Sequence, residues 1–215
     1  MRPNLGSATA GRAATLCGLL GAFVALLFPV LGAAGTPGYR HASQYISELG
    51  AFGAPQAQLV NWAGFLPAGI LMTLFAWFAW RALPASPAAT LGLAGLALFS
   101  LGYVAAAFFP CEPGCLPAES SLSQTLHNLL GLAGYITAPP ALFALGWAAR
   151  GWPGAKHLAT LGFVGAPLAL AGLLGLQPGF AYAGLSQRLL EGSVLLWIAA
   201  CALHLRRAAS ASISG

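Results

Sequence analysis

Six stretches of this chain, at 12–34, 57–82, 87–109, 124–149, 155–176 and 181–205, are long and apolar enough to cross the roughly 30 Å hydrocarbon layer of a bilayer as helices. Helix breakers separate most of them: "TPG" at 36–38, "LPASP" at 83–87, "PCEPGCLP" at 110–117, "GWPG" at 151–154 and "QPG" at 177–179. Only 6% of the residues are charged and none is Asp, whereas a soluble domain carries about 25% charged residues. There is too little polar surface to cover a water-facing globule, so helices in lipid are the consistent solution. The expected architecture is all-α, a six-helix transmembrane bundle, with a tail at 1–11, a membrane domain at 12–207 and a second tail at 208–215. The first stretch follows Arg2 and Arg12 and resembles a signal peptide, but its apolar run of about 20 residues exceeds the usual 7–15. It is read as a span.

The basic residues set the expected orientation. In a six-span topology Arg2, Arg12, Arg81, Arg150, Lys156, Arg206 and Arg207 fall on one side, and only Arg40 and Arg188 fall towards the other. By the positive-inside rule both termini should be cytoplasmic. The net charge of +5 is accounted for by topology and gives no support to nucleic-acid binding. Cys111 and Cys115 flank "EPG" on the opposite, non-cytoplasmic side, where a disulfide is favoured. Free thiols and zinc are the alternatives, although no His is near in sequence and no four-ligand set is visible. Cys17 and Cys201 lie within spans as packing residues.

Small residues dominate the spans. Ala14, Gly18 and Ala22 recur every four residues, and Gly131, Gly134, Gly162, Gly165, Gly172 and Gly175 suggest close helix contacts in spans four and five. Pro29, Pro67, Pro139, Pro140 and Pro167 should bend their helices. The six tryptophans lie mainly near span ends, as interfacial belts require.

Against this apolar background the segment "SQYISELG" at 43–50 stands out. On a helix, Ala42, Tyr45, Ile46 and Leu49 share one face and Ser43, Gln44, Ser47 and Glu48 the other, with Gly50 as a stop. A short amphipathic helix in the first outer loop satisfies that pattern by itself. Two fragments resemble it: "ASQYISE" (42–48) is echoed by "LSQTLHN" (122–128) and "LSQRLLE" (185–191). In each, a Gln precedes a polar group by four residues (Glu48, Asn128, Glu191), so the two share a helix face.

Depth adds an energetic argument. With span six starting near 181, Arg188 lies about 10 Å and Glu191 about 15 Å inside the span, at 1.5 Å per residue. An ionised group near mid-bilayer costs roughly 2.5–3.5 kcal/mol. Arg188 and Glu191 would therefore face the bundle interior, paired with each other or with Glu48, His127 or Asn61. A purely structural ion pair and a functional site both satisfy this. His127, beside Asn128 at the mouth of span four, is an interfacial residue or a proton carrier. His41 allows only a thin case for a metal.

The ordered set of "SQYISELGA", Asn61, "FFP" (108–110), "HN" (127–128) and "QR" (187–188) resembles the prokaryotic membrane family catalogued as domain of unknown function 998 over nearly the whole chain. Where that pattern has Asp soon after "FP", this chain has "CEPGC", with Glu112 in its place. The resemblance implies a multi-pass protein of a bacterial cytoplasmic (inner) membrane. More distantly, "YISELGA" before an Asn-bearing span is similar to the eukaryotic autophagy modulators and glycolipid-anchor remodelling proteins, six-span proteins associated with lipid handling.

The resulting expectation is a polar pocket open to the outer leaflet that binds a lipid or small amphiphile. Ser47, Asn61, Asn128, Gln187 and Arg188 would be its ligand-binding residues, with Arg188 on an anionic headgroup. A lipid-modifying enzyme would use Glu48, His127 and Glu191 for proton transfer. A structural or accessory protein built on the ion pair is the third class. No cofactor, metal or nucleic-acid partner is expected, and no G-x-S-x-G or H-E-x-x-H motif occurs.

Overall fold

The computed structural model describes residues 5–116 and 121–211; the remainder of the two expected tails, 1–4 and 212–215, lies outside the described residues. The chain forms six long helices: α1 Leu5–Ala34, α2 Leu66–Ala82, α3 Pro87–Phe108, α4 Leu122–Ala149, α5 Lys156–Leu174 and α6 Ala183–Ala211. All six spans, the second counted from Leu59 so that it includes the turn ahead of α2, are long and apolar enough to cross a membrane, and no strand occurs among the described residues. α1 begins at Leu5, inside the stretch assigned to a tail, since no proline interrupts residues 5–12. Side-chain caps fix two starts. Ser86 accepts from the Ala89 N–H ahead of Pro87, and Ser121 accepts from the Gln124 N–H.

Each helix packs against its neighbours in sequence, and α6 closes the ring against α1. The 35–58, 109–116 and 175–182 segments share one end of the bundle, where the first bonds to the second (Phe52 N–H to Cys111 O, 2.9 Å) and to the first turn of α6 (Leu185 N–H to Ala42 O, 3.0 Å). This is called the loop end. The other end carries the short connections, the start of α1 and the end of α6, and with them Arg12, Arg81, Arg150, Lys156, Arg206 and Arg207.

Lipid offers no hydrophobic reward for helix association, so close backbone approach must supply it through dispersion and polar contacts. A Cβ on Gly162 would come closer than 3.0 Å to the Gly146 backbone, and one on Gly172 as close to the Ser186 carbonyl and Leu190 N. In α1, Ala14 and Ala22 are buried, and Gly18 lies against Phe75 and Ala202. Gly131 meets the expectation on one side only: its Cα lies 3.7 Å from where a Cβ on Gly102 would stand, while a Cβ on Gly131 itself would meet nothing within 4 Å, because that side lines a cavity. The large exposed side chains, such as Leu16, Phe23, Leu91 and Leu196, point outward, as lipid permits.

The tryptophan belt is only partly realised. Trp62, Trp77, Trp80 and Trp147 are exposed, but Trp152 is buried and Trp197 is fully enclosed, its indole donating to Leu158 O at 3.2 Å. The span-two proline is also accommodated differently. Pro67 stands at the start of α2, immediately after a π-helical turn, Leu59–Phe65. That wider turn, with Leu66 N–H bonding to Asn61 O, lets the chain reach a residue without an N–H and still continue as a helix.

Gly162→Val should lower stability by about 1–3 kcal/mol through overpacking. Gly131→Ala should be neutral or stabilising, since it adds helix propensity without a clash. Thermal unfolding in detergent distinguishes the two.

Candidate functional site

Three glutamines organise the loop end, and each uses its amide in the same way. The Nε2 donates to the polar group four residues on: Gln44 to Glu48 Oε2 (2.8 Å), Gln124 to Asn128 Oδ1 (2.8 Å) and Gln187 to Glu191 Oε1 (3.1 Å). The Oε1 accepts a loop backbone N–H: Arg40 (2.7 Å), Glu112 (2.8 Å) and Ile46 (2.6 Å) respectively. The four-residue spacing seen in the sequence is thus realised in all three fragments. Its Gln-to-loop half was not legible, because the partner N–H groups are backbone atoms, which the sequence does not distinguish.

The 42–49 segment is not the α-helix expected of its pattern. Turns lead into a 3₁₀ segment, Ile46–Gly50, with Ile46, Leu49 and Gly50 buried. Glu48 is the reason. Its Oε1 takes the Tyr45 N–H at 2.8 Å while Oε2 takes Gln44, capping a turn that begins at Ile46. Gly50 is required by close approach, since a Cβ would collide with Asn61 Oδ1. Asn61, in the π-helical turn, donates to Gly50 O at 2.8 Å, and its buried Oδ1 has no partner among the described residues.

Beneath these loops lies a cavity of about 320 Å³, within the range of about 300–1,000 Å³ usual for small-molecule sites. Phe65, Phe99, Leu132 and Leu176 give it an apolar body. The cavity brings together Ser47, His127, Asn128, Gln187 and Glu191, and leaves Glu48, Asn61 and Arg188 out of its lining. Buried Glu191 accepts from Tyr103 Oη at 2.5 Å, from Tyr135 Oη in a short hydrogen bond and from Gln187; Gln187 also donates to Tyr135 Oη at 2.6 Å. These two tyrosines were missed. The available signal was that a phenol within an apolar span needs a buried partner, and each follows a glycine ("GY" at 102–103 and 134–135).

The expected ion pair between Arg188 and Glu191 is not formed. The Arg188 guanidinium turns to the first loop, donating to His41 O (2.8 Å), Gln44 O (3.2 Å), Gly184 O (2.9 Å) and Tyr39 Oη (2.8 Å), with His41 Nδ1 at 3.0 Å. A cation surrounded by carbonyls anchors a loop, and Glu191 is hydrogen-bonded separately by phenol and amide donors. Burial raises the Tyr39 hydroxyl above its ordinary range, against the pull of Arg188. It therefore remains protonated near neutral pH and donates to Tyr45 O at 2.9 Å.

Cys111 and Cys115 form a disulfide. The Ser47 hydroxyl lies 3.4 Å from Cys115 Sγ, and Gln124 Nε2 holds Cys115 O at 3.3 Å. The fold also brings His127 to this pair, with potential ligand atoms within 4.8 Å of one another. With the sulfurs joined, neither is the thiolate that binds metal. The imidazole Nδ1 is 2.9 Å from Phe109 O, so Nδ1 carries the proton and Nε2 is the acceptor in the neutral ring.

Gln187→Leu should cost about 1–3 kcal/mol, since it strands the Ile46 N–H and removes a donor from Glu191. Arg188→Lys should loosen the 39–46 loop nearly as much as Arg188→Ala, because an ammonium cannot reproduce the planar fork. Unfolding curves and limited proteolysis of that loop measure both effects.

No curated protein and no solved structure matches this chain. A family model described as "Protein of unknown function (DUF998)" matches residues 19–204, a span that includes every residue of the cavity and of the three glutamine brackets. The ordered motifs, the multi-pass helical bundle and this match agree: the chain belongs to the DUF998 family.

Proposed function

We propose that the loop-end cavity binds a lipid or small amphiphile in the outer leaflet of a bacterial inner membrane, with both termini cytoplasmic. The observation that carries this is a chamber with an apolar body and a few polar groups, among them Glu191 held by Tyr103, Tyr135 and Gln187, with Ser47, His127 and Asn128 also in the lining. An amphiphile has the matching distribution. The distant likeness to lipid-handling six-span proteins points the same way.

The placement of Arg188 changes the expected headgroup. Among the described residues the cavity lining contains a carboxyl group and no Lys or Arg, so it suits a neutral hydroxyl or an amine better than an anion. Such a head donates to Glu191 or Tyr135, and the tail lies against Phe65, Phe99 and Leu132.

A second reading, a lipid-modifying enzyme, draws on the shared presence of Glu191 and His127 in the cavity. His127 Nε2 would then act as the base. Glu48 contributes little to this reading, since both its oxygens are engaged in its own turn.

Native mass spectrometry of protein released from nanodiscs of bacterial lipid extract provides the test. Wild type should retain an amphiphile with a neutral or cationic head, Ala106→Trp should lose it by filling the chamber, and Glu191→Gln should bind about tenfold more weakly, near 1.4 kcal/mol. Identical profiles for all three, or no amphiphile on the wild type, would refute the reading. Recovery of a chemically altered lipid by wild type but not by His127→Ala would favour the enzyme.

A further inference from the structure

We infer that the Cys111–Cys115 disulfide is a thiol–disulfide exchange site, which takes two electrons from a small, uncharged dithiol admitted to the cavity. The site uses the cavity but not the amphiphile of the reading above, so either can fail without the other.

The two sulfurs are placed unequally. Cys115 lines the cavity, whereas Cys111 is fully buried and outside the lining. Exchange proceeds by attack of a thiolate on one sulfur, through a mixed disulfide. A thiolate in the cavity meets Cys115 Sγ, and Cys111 is then the sulfur that leaves. Among the described residues Cys115 is also the one non-glycine residue with a positive φ, +54°, a left-handed conformation that residues with a Cβ rarely adopt. The turn around it is gripped without the sulfurs. The Cys115 N–H donates to Glu112 O at 2.8 Å, while Gln124 accepts the Glu112 N–H (2.8 Å) and donates to Cys115 O (3.3 Å). The S–S bond closes a separation of only four residues, and a disulfide constrains the unfolded chain less the shorter its loop. Its contribution to stability is therefore small.

The surroundings can accept the reduced pair. Cys111 Sγ lies 3.7 Å from Ser47 O, an acceptor for a thiol, and the Ser47 hydroxyl lies 3.4 Å from Cys115 Sγ, a donor for a thiolate. His127 supplies the proton path. A ring nitrogen is within 4.8 Å of both sulfurs, the imidazole lines the same cavity, and the Nδ1 bond to Phe109 O leaves Nε2 as the acceptor.

His127 Nε2 takes the proton of the first substrate thiol. The thiolate bonds to Cys115 Sγ, the S–S bond breaks, and its electron pair goes to Cys111 Sγ, which receives the proton from the imidazolium. The second substrate thiol, deprotonated in the same way, attacks the substrate's first sulfur and expels Cys115 as a thiolate, which is protonated in turn. A cyclic disulfide departs and two protein thiols remain. The same steps in reverse, from a second disulfide, reoxidise the pair. The lining selects the substrate: among the described residues it has an apolar body, a carboxyl group and no Lys or Arg, which favours a neutral dithiol over an anionic one.

The test compares dihydrolipoamide with its anionic analogue dihydrolipoate on the oxidised protein in nanodiscs. Alkylation and peptide mass mapping separate the pair from the free thiols Cys17 and Cys201. Dihydrolipoamide should reduce Cys111–Cys115 roughly tenfold faster, and Ala106→Trp, by filling the cavity, should remove that advantage. His127→Gln should slow the reaction about tenfold near neutral pH and have no effect once the dithiol is itself ionised, a profile that a merely structural residue does not give. Equal rates for the two dithiols, an advantage that survives Ala106→Trp, or an unslowed His127→Gln would each overturn the site; an amphiphile retained in that case keeps the binding reading. If those variants do not fold, single cysteine variants decide. With neutral 2,2′-dithiodipyridine, Cys111→Ala should be labelled at Cys115 and Cys115→Ala should stay unlabelled at Cys111. Equal labelling of the two, or none, would overturn the exchange site.

Discussion

The loop end depends on one property of glutamine: a single amide supplies a donor and an acceptor that point in different directions within one rigid plane. At the mouth of a membrane bundle, backbone N–H groups of irregular loops lose water and need other partners. Gln44, Gln124 and Gln187 each satisfy one such N–H and, with the same amide, fix an acceptor one helical turn away. Gln187 is the most consequential of them. It joins the 3₁₀ segment of the first loop to the carboxyl group of α6 and to the phenol of α4, so loop position and cavity chemistry are set together.

Charge is handled by separation. Arg188 and Glu191 are one turn apart on α6, yet each finds its own neutral partners. A buried ion pair gains its Coulomb energy only after desolvating both groups. Carbonyl oxygens for the guanidinium and phenols for the carboxyl group solve the same problem without requiring the two to meet. The result leaves a polar spot inside a chamber with an apolar body, which a closed ion pair would have consumed.

The bundle was legible in the sequence because lipid imposes a single rule: long apolar runs, separated by glycine and proline breaks and with few charges inside them. The site was legible where it depends on local spacing. Gln44–Glu48, Gln124–Asn128 and Gln187–Glu191 are contacts within one turn, and all three form. What could not be read depends on how helices rotate about their axes. Tyr103 and Tyr135 reach Glu191 from two other helices, and no pattern within α3 or α4 says which face turns inward. The choice between a packing glycine and a cavity glycine is of the same kind: Gly131 and Gly134 look alike in sequence, and only the tilt of α3 against α4 separates them. The 42–49 pattern misled because Glu48 caps its own turn, a local competitor to the helix its periodicity suggests.

The π-helical turn at Leu59–Phe65 makes the second span two halves with a phase offset. A π turn holds about one residue more than an α turn, and one residue corresponds to about 100° of rotation. The segment bearing Asn61 is therefore rotated relative to the rest of α2, which packs on α1 and α3. Asn61 can meet Gly50 O without forcing Met72 and Phe75 out of the core they fill. Deleting a single residue here would close the wide turn into an α turn, leaving the two halves in phase but removing the extra residue that lets Asn61 meet Gly50 O. Natural length variation in this segment should therefore be far rarer than its lipid-facing composition alone would suggest.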